Sequence, residues 1–574
     1  MLATAAVAAV AANALIKTST NETWVAALAA ATLGLPLFFT LAVTAERIGS
    51  RFVSIALAAM GAVLLLAFAL AWPHWSEAIQ WRRYAQFNIG FHLLAAFLPY
   101  ALGGEPNGFW HYNRSLFLRF LTANLYSGVL YVGLVLALVA IDQLLKIKVP
   151  PSMYTRLWIL IAFVFNTWFF LGGVPGDLSA LETRRDYPQG LKVFSQFILI
   201  PLVAIYLTIL TVYLGRILVT GQWPSGWIGY LVSGVAAVGI LSLLLVHPIR
   251  EREENRWVAT YSRWFYIAML PAIGMLLVSI WKRVDQYGIT EDRYFLAVLA
   301  LWLMGIAVTF IARRSSDIRI IPMTLCALAF ATAFGPQGAY GVSRRSQVQQ
   351  LRQLLEKHGL IANGAVHPAT SPIEFETRKA LSSKLTYLLQ THGAKPVRAL
   401  LGSAMPALPA DTSKTRLRMY GQAELQAGMV MHSLGLEFVN RWEGPNNANF
   451  SLYTAPQTAG VTVVSHMDYH VRLPGSFPTE FTIDGEKWKM EQDKRAHVLR
   501  LVSADRPVIV FPIDTLIALA RASHGFATTP MPRLVAASGS ARAILAPRSY
   551  NGRVMPDSVE IQTMDADLFL TLTP

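Results

Sequence analysis

The stretch WIGYLVSGVAAVGILSLLLV, Trp227 to Val246, runs for 20 residues without a charged side chain. Wound as an α-helix it is about 30 Å long, the thickness of a bilayer's hydrocarbon core, and its backbone groups bond within the segment. It has no polar face to turn to water, so a surface helix of a soluble domain is excluded. The same texture extends in both directions. Further spans are read at Ala3 to Ile16, Trp24 to Ala45, Val53 to Trp72, Tyr84 to Leu102, Leu121 to Leu145, Leu157 to Leu171, Phe194 to Leu214, Trp264 to Trp281, Tyr294 to Ile311 and Ile320 to Phe334. That makes about eleven.

Composition agrees. Hydrophobic residues form 54% of the chain and charged ones 14%, against about a quarter charged in a soluble protein. Trp72, Trp75, Trp81, Trp223, Trp227, Trp257, Trp264 and Trp281 mark span ends, where amphipathic rings sit at headgroup depth. The net charge of +15 lies largely in loops beside apolar spans. It therefore reads as orientation charge and contact with anionic membrane lipids, with no nucleic-acid partner. The one cysteine, Cys326, falls within a span, so neither an intrachain disulfide nor a multi-cysteine metal site is available.

The first apolar stretch is short and Ala-rich. It reads as a span, as the apolar region of a signal peptide lacking its basic lead, or as the end of a longer helix. Loops after even-numbered spans, with Arg47, Arg51, Arg184, Arg185, Arg250, Arg252 and Arg319, outweigh thinly those after odd-numbered spans, with Arg82, Arg83, Lys282, Arg283 and Arg293. The richer loops belong in the cytoplasm. With an odd span count, the segment after the last span lies in the periplasm of a bacterial inner membrane; one miscounted helix would reverse that.

Past Phe334 the charge density becomes ordinary. Helical spacing predicts helices over Ser343 to His358, Ile373 to Gln390 and Ala423 to Leu434. Alternating runs then predict strands at Phe450 to Tyr453, Val461 to Val464, Tyr469 to Leu473, Glu480 to Ile483, His497 to Val502, Val508 to Phe511, Arg542 to Leu545, Val559 to Gln562 and Leu568 to Leu572. A helix at Ile513 to Ala522 and a hairpin turn at Asp484-Gly485-Glu486 complete the pattern. The fold class is thus an α-helical polytopic membrane bundle followed by a soluble α+β domain with an antiparallel, sandwich-like sheet. Residues 1–340 form the membrane domain, 341–445 a helical linker and first part of the soluble domain, and 446–574 a β-rich extracytoplasmic domain.

Candidate chemistry is concentrated in few places. The loop of Arg283, Asp285, Gln286, Tyr287, Thr290, Glu291 and Arg293 forms a polar cluster able to hold a headgroup or dock the soluble domain. Its spacing equally suits helix punctuation, with Gly288 ending one helix, Thr290 capping the next and Glu291 and Asp292 in the first turn. The mixed-charge loop His247 to Trp257 suits a helix in the interface plane. On a strand, His466, Asp468 and His470 share one face; this is a metal-ligand pattern, but also that of a solvated face, and no further ligand is identifiable, so no metal or other cofactor is assigned. Within spans ionisable residues are scarce: Asp142 lies at a span's end and His92 with Asn88 within the fourth, while Asn124 and Asn166 add isolated amides. No nucleophile elbow, phosphate-cradling loop, zincin pair or dinucleotide fingerprint occurs.

The run Tyr187-Pro188-Gln189-Gly190-Leu191-Lys192 with Phe194-Ser195-Gln196 resembles a family of bacterial multi-pass membrane proteins, domain of unknown function 4153. So do Trp227-Ile228-Gly229-Tyr230, His247-Pro248-Ile249-Arg250, the stretch Arg283 to Phe295 and, further on, Tyr387-Leu388-Leu389 with Thr391-His392-Gly393. The resemblance carries over no catalytic or ligand residue. The expectation is a non-enzymatic sensing, binding or envelope-assembly scaffold with a periplasmic or lipid-linked ligand and protein partners in the envelope. A transporter or transferase acting on lipidic or lipid-linked material is the alternative, which a deep polar cavity between the spans would favour.

Overall fold

The computed structural model describes the chain except residues 19–20, 102, 222–226, 251–255, 313–316, 363–364, 409–415, 442–447, 454–466, 474–477, 495, 504–507, 523–524, 529–530, 540, 555–558 and 573–574. It divides into two compact units. One is Met1–Gln350 with Gln390–Gly393; the other is Leu351–Leu389 with Ala394–Pro574.

The first unit is helical: α1 (Leu2–Lys17), α2 (Glu22–Ile48), α3 (Arg51–Ala71), α4 (Glu77–Phe97), α5 (Pro106–Leu144), α6 (Pro151–Ile159), α7 (Asn166–Leu171), α8 (Gln189–Val193), α9 (Ile200–Thr220), α10 (Trp227–Val246), α11 (Arg256–Tyr287), α12 (Glu291–Ala312), α13 (Ile320–Ala331) and the start of α14 (Ala339–Lys357). Two π-helical segments, Leu160–Phe165 and Phe194–Leu199, join α6 to α7 and α8 to α9. Each of the eleven expected spans lies largely on helix, although Leu102 lies outside the described residues and Thr332 to Phe334 follow the end of α13. Among the described residues, eight helices are long and apolar enough to cross a membrane, and the chain is a membrane protein. The first and last expected spans fall on shorter apolar helices, Leu2–Ile16 and Ile320–Ala331, while the fourth, α4, carries Arg82 and Arg83 near its start. The count of eleven therefore does not follow from length and apolarity alone.

Small residues set the packing of α2. A Cβ added at Gly34 would lie 2.7 Å from Thr4 Cγ2 of α1 and 2.9 Å from Leu65 Cδ1 of α3, so glycine lets both neighbours approach. Between α10, α11 and α12 the core is closed, with apolar side chains around a residual space of about 10 Å³.

Polar contacts join the loops in two sets. Arg47 pairs with Glu182 at 3.0 Å and covers the Tyr100 ring at 4.3 Å, while Arg319 Nη1 donates to the Tyr100 and Gly104 carbonyls at 3.1 and 2.9 Å. Asn107 reaches the carbonyls of Glu182 and Arg184. All of these lie at the end of, or after, even-numbered expected spans. The second set, drawn from the ends of odd-numbered spans, gathers around Glu291.

The second unit holds the rest of α14, most of α15 (Phe375–His392), then α16 (Ala394–Leu401), α17 (Arg416–Ser433) and α18 (Asp514–Ala522). Its strands are β1 (Ile361–Ala362), β2 (Ala365–Val366), β3 (Ala448–Tyr453), β4 (Tyr469–Leu473), β5 (Thr479–Ile483), β6 (Glu486–Asp493), β7 (Val498–Ser503), β8 (Ile509–Pro512), β9 (Gly525–Thr528), β10 (Leu534–Ser538), β11 (Ala541–Val554) and β12 (Val559–Thr571). One sheet runs β4-β12-β11-β3-β9 with β10 beside β11, and another runs β5-β6-β7-β8. Pairing is antiparallel except for β3 with β9. Trp488, Met490, Leu499 and Phe511 of one sheet share a core with Ala543, Leu545, Leu568 and Leu570 of the other and Leu516 of α18, as the sandwich reading required. The Asp484-Gly485 turn joins β5 to β6 with both residues at positive φ. The expected Val461 to Val464 strand lies outside the described residues, as do residues 251–255 of the mixed-charge loop and Trp223. Two expected strands are one: β12, Val559–Thr571, holds Val559 to Gln562 and all of Leu568 to Leu572 but its last residue.

Candidate functional site

Helix α11 stops at Gly288, whose φ of +74° lies in the left-handed region. Three residues later α12 begins at Glu291, with the carbonyl of Thr290 before it accepting from Tyr294 N at 2.9 Å, the position of an N-cap. The punctuation expected of this loop is present, but Glu291 departs from the expected surface cluster. Only 1% of its side chain is exposed.

Three elements converge on that carboxylate. Arg82 of α4 places Nη1 3.1 Å from Oε2, Ser343 of α14 donates its hydroxyl to Oε1 at 2.5 Å, and His392, the last residue of α15, sets Nε2 3.2 Å from Oε1. His392 is also within 3.2 Å of the Ser343 hydroxyl. A second Arg82 nitrogen reaches Asp292 at 3.4 Å. The first turn of α12 adds the positive end of its dipole, so a buried carboxylate is compensated from several directions. Ser346 Oγ accepts from Ile289 N at 2.9 Å, and Gln347 Nε2 donates to the Tyr287 and Ile289 carbonyls, fastening the start of α14 along the loop.

Beside this knot opens a cavity of about 280 Å³, lined by His74, Trp75, Ser76, Ile79, Arg83, Ala333, Gly335, Tyr340, Gly341, Arg344, Thr391 and His392. No carboxylate is among them. The Arg83 guanidinium lies over the rings of Trp75 at 4.3 Å and Tyr340 at 4.9 Å. Burial pushes the Tyr340 phenol up to about 12, against the pull of Arg83 and Arg82, so it stays a neutral donor, and it reaches Gln86 Oε1 at 3.4 Å. Gln86 in turn donates to Thr332 Oγ1 at 2.7 Å.

The expected loop residues part company. Arg293 donates to the Gly288 carbonyl at 2.7 Å and covers the Tyr287 ring at 5.5 Å, a helix-end role. Asp285, Gln286 and Tyr287 are exposed, and Arg283 and Thr290 half-buried. Of the proposed cluster only Glu291 enters the knot, where its partners Arg82, Ser343 and His392 come from distant positions. In the sequence Arg82 and Arg83 read as orientation charge, and His392 belongs to a run shared with a family; their side-by-side placement has no sequence signal.

In the second unit Asp468, just before β4, and His470 on it are both exposed, in keeping with the expected alternation; His466 lies outside the described residues. His470 stacks on Phe569 and sets Nε2 2.9 Å from Asp567, while Asp468 accepts from Leu572 N at 3.3 Å. Among the described residues no group of three His, Cys, Asp or Glu side chains is placed to hold a metal. Burial raises the Asp567 pKa, but hydrogen bonds from His470 and Arg548 outweigh it and hold the carboxyl below its usual range. Within the spans Asn166 Nδ2 reaches Ser127 Oγ of α5 at 3.0 Å, an interhelical amide bond, whereas Asn124 and His92 bond to carbonyls four residues back on their own helices.

Residues 2–361 match a family described as domain of unknown function (DUF4153), a match that ends before the Thr391-His392-Gly393 run. An uncharacterized protein of Pasteurella multocida (strain Pm70) is 24% identical over 333 residues, 57% of this chain and 54% of the relative. The chain thus spans about half the length of that relative. No solved structure matches.

Proposed function

The chain belongs to the DUF4153 family, and from that premise we propose that it is a bacterial inner-membrane binding scaffold that takes a periplasmic or lipid-linked ligand into the cavity beside Glu291. The observation that carries this reading is the cavity itself: a basic recess with no acid among its described lining residues, walled by α4, α14 and the end of α15. The closed apolar packing between α10, α11 and α12 favours a scaffold over a transporter.

Sidedness is argued from contacts. Residues that touch at a bundle's rim lie on one face of the membrane, so an even number of crossings separates them. Between Arg82 and Glu291 the long apolar helices supply five crossings, and α4 makes six. Between Glu291 and Ser343, α12 supplies one and α13 makes two. The contacts therefore support crossings by α4 and α13. With the arginine-richer loops of the opposite set in the cytoplasm, the Glu291 face and the β-rich domain are periplasmic.

The test is native mass spectrometry of the protein extracted from its own membrane. A bound mass should be present in the wild type and lost in Ile79→Trp, which fills the cavity from a half-buried lining position. Equal retention by both would remove the cavity as the ligand site.

A further inference from the structure

We propose that the cavity beside Glu291 binds a phosphate group, gripped by Arg83 and Arg344. This deepens the ligand-binding reading of the same cavity and rests on it.

The two neighbouring arginines of α4 are used differently. Arg82 is committed to Glu291 and Asp292. Arg83 has no carboxylate partner among the described residues; its guanidinium is held by the rings of Trp75, Tyr340 and Phe334, and its Nε is buried without a hydrogen-bond partner. Arg344, exposed at the cavity wall, also has no ion-pair partner among the described residues, and His74 adds a third nitrogen base. Withdrawing a cation from water is costly without an anion to compensate it, and among the described residues no acidic side chain lines this cavity. The compensating charge is therefore supplied by a ligand.

The donor type and the location narrow that ligand. Guanidinium forks match the oxygens of phosphate in paired hydrogen bonds, and aromatic rings around Arg83 hold its plane in place. The volume of about 280 Å³ is roughly twenty times what admits one water, enough for a phosphate with its substituent. Trp72, Trp75 and Trp81 cluster where α3 ends and α4 begins, with Trp72 and Trp81 rings 5.4 Å apart. Such rings mark headgroup depth, where phospholipid phosphates lie. Either a lipid headgroup or a free phosphate would present the same chemistry.

The intact protein in phosphatidylcholine nanodiscs is melted with and without added phosphatidic acid, and separately with inorganic phosphate against chloride at equal ionic strength. Phosphatidic acid should raise the melting midpoint, with an apparent affinity at least about tenfold weaker in Arg83→Gln and in Arg344→Gln, since each loses a charge-assisted contact to the phosphate. Arg344 is exposed, so its variant folds even if Arg83→Gln does not. A response to both additives shows that the phosphate group alone suffices; a response to phosphatidic acid only shows that the ligand is lipid-borne. No response, or an undiminished response in Arg344→Gln, overturns the proposal. If Ile79→Trp still strips a bound mass in that case, the cavity remains the ligand site and only phosphate falls.

Discussion

At Glu291 the chemistry of a whole rim passes through two oxygens. Removing the carboxylate in Glu291→Ala leaves the Arg82 guanidinium, the Ser343 hydroxyl and the His392 ring facing an empty pocket. Breaking a buried pair costs about 3–5 kcal/mol. Arg82 keeps 37% of its side chain in solvent, so the lower end, about 3 kcal/mol, is expected as a fall in the melting midpoint of the purified protein. Glu291→Gln, which keeps an acceptor for Ser343, should lose less. Asp567 offers a test by pH. Its folded pKa lies below the unfolded value of about 3.9, so its stabilisation is present above that value and drains away as pH falls through the folded one. Asp567→Asn should therefore flatten the acid limb of a plot of melting midpoint against pH; an unchanged limb would show that the His470 and Arg548 contacts are not what holds the charge. At this scale the sequence was half legible. It marked Glu291 as a first-turn acid and His470 as solvent-facing, yet pairing each with Arg82 or Asp567 required the fold.

At the scale of the element, turn chemistry was the most readable signal. Gly288, Thr290, Asp484 and Gly485 fell where a left-handed residue, a cap and a tight hairpin were expected, because these depend on a few neighbouring dihedrals. Gly288 has a further duty: a Cβ there would lie 2.8 Å from Gln347 Nε2, which holds the loop carbonyls. Gly288→Ala combines a left-handed penalty of about 1–2 kcal/mol with displacement of that amide. Its expected signature is faster hydrogen exchange at the start of α14 with the spans unchanged; unchanged exchange would deny the loop a role in holding that helix. Strand β6 shows what was hidden. Lys487, Lys489 and Glu491 mask the alternation, but Trp488 and Met490 between them are buried and these three charges lie on the opposite face. The second half of β12 is fused to the first because antiparallel pairing with β11 carries across its irregularities.

For the whole molecule, the alternate sets of rim contacts make a prediction about sides. Reporters placed in the loop after α3 and after α14 should give the same compartment, and one placed near Arg184 the other. A reporter near Arg184 matching the first two would refute the crossings assigned to α4 and α13. The same contacts bear on the domain boundary near residue 340. Ser343, Gln347 and His392 belong to the membrane unit although they sit on helices that continue past it, since hydrogen bonds to the Glu291 loop hold them there.

The amino-acid order alone settled the solvent: runs such as Trp227 to Val246 are too apolar for water, and the alternating runs beyond Tyr469 need one wet face. Burial of apolar surface is decided residue by residue, so it can be read along the chain. Which charges meet is decided otherwise. Arg82, Glu291, Ser343 and His392 are separated by up to 310 positions, from 82 to 392, and an ion pair depends on distance in space, which only helix packing sets. The basic cavity around Arg83 is a property of that packing as well.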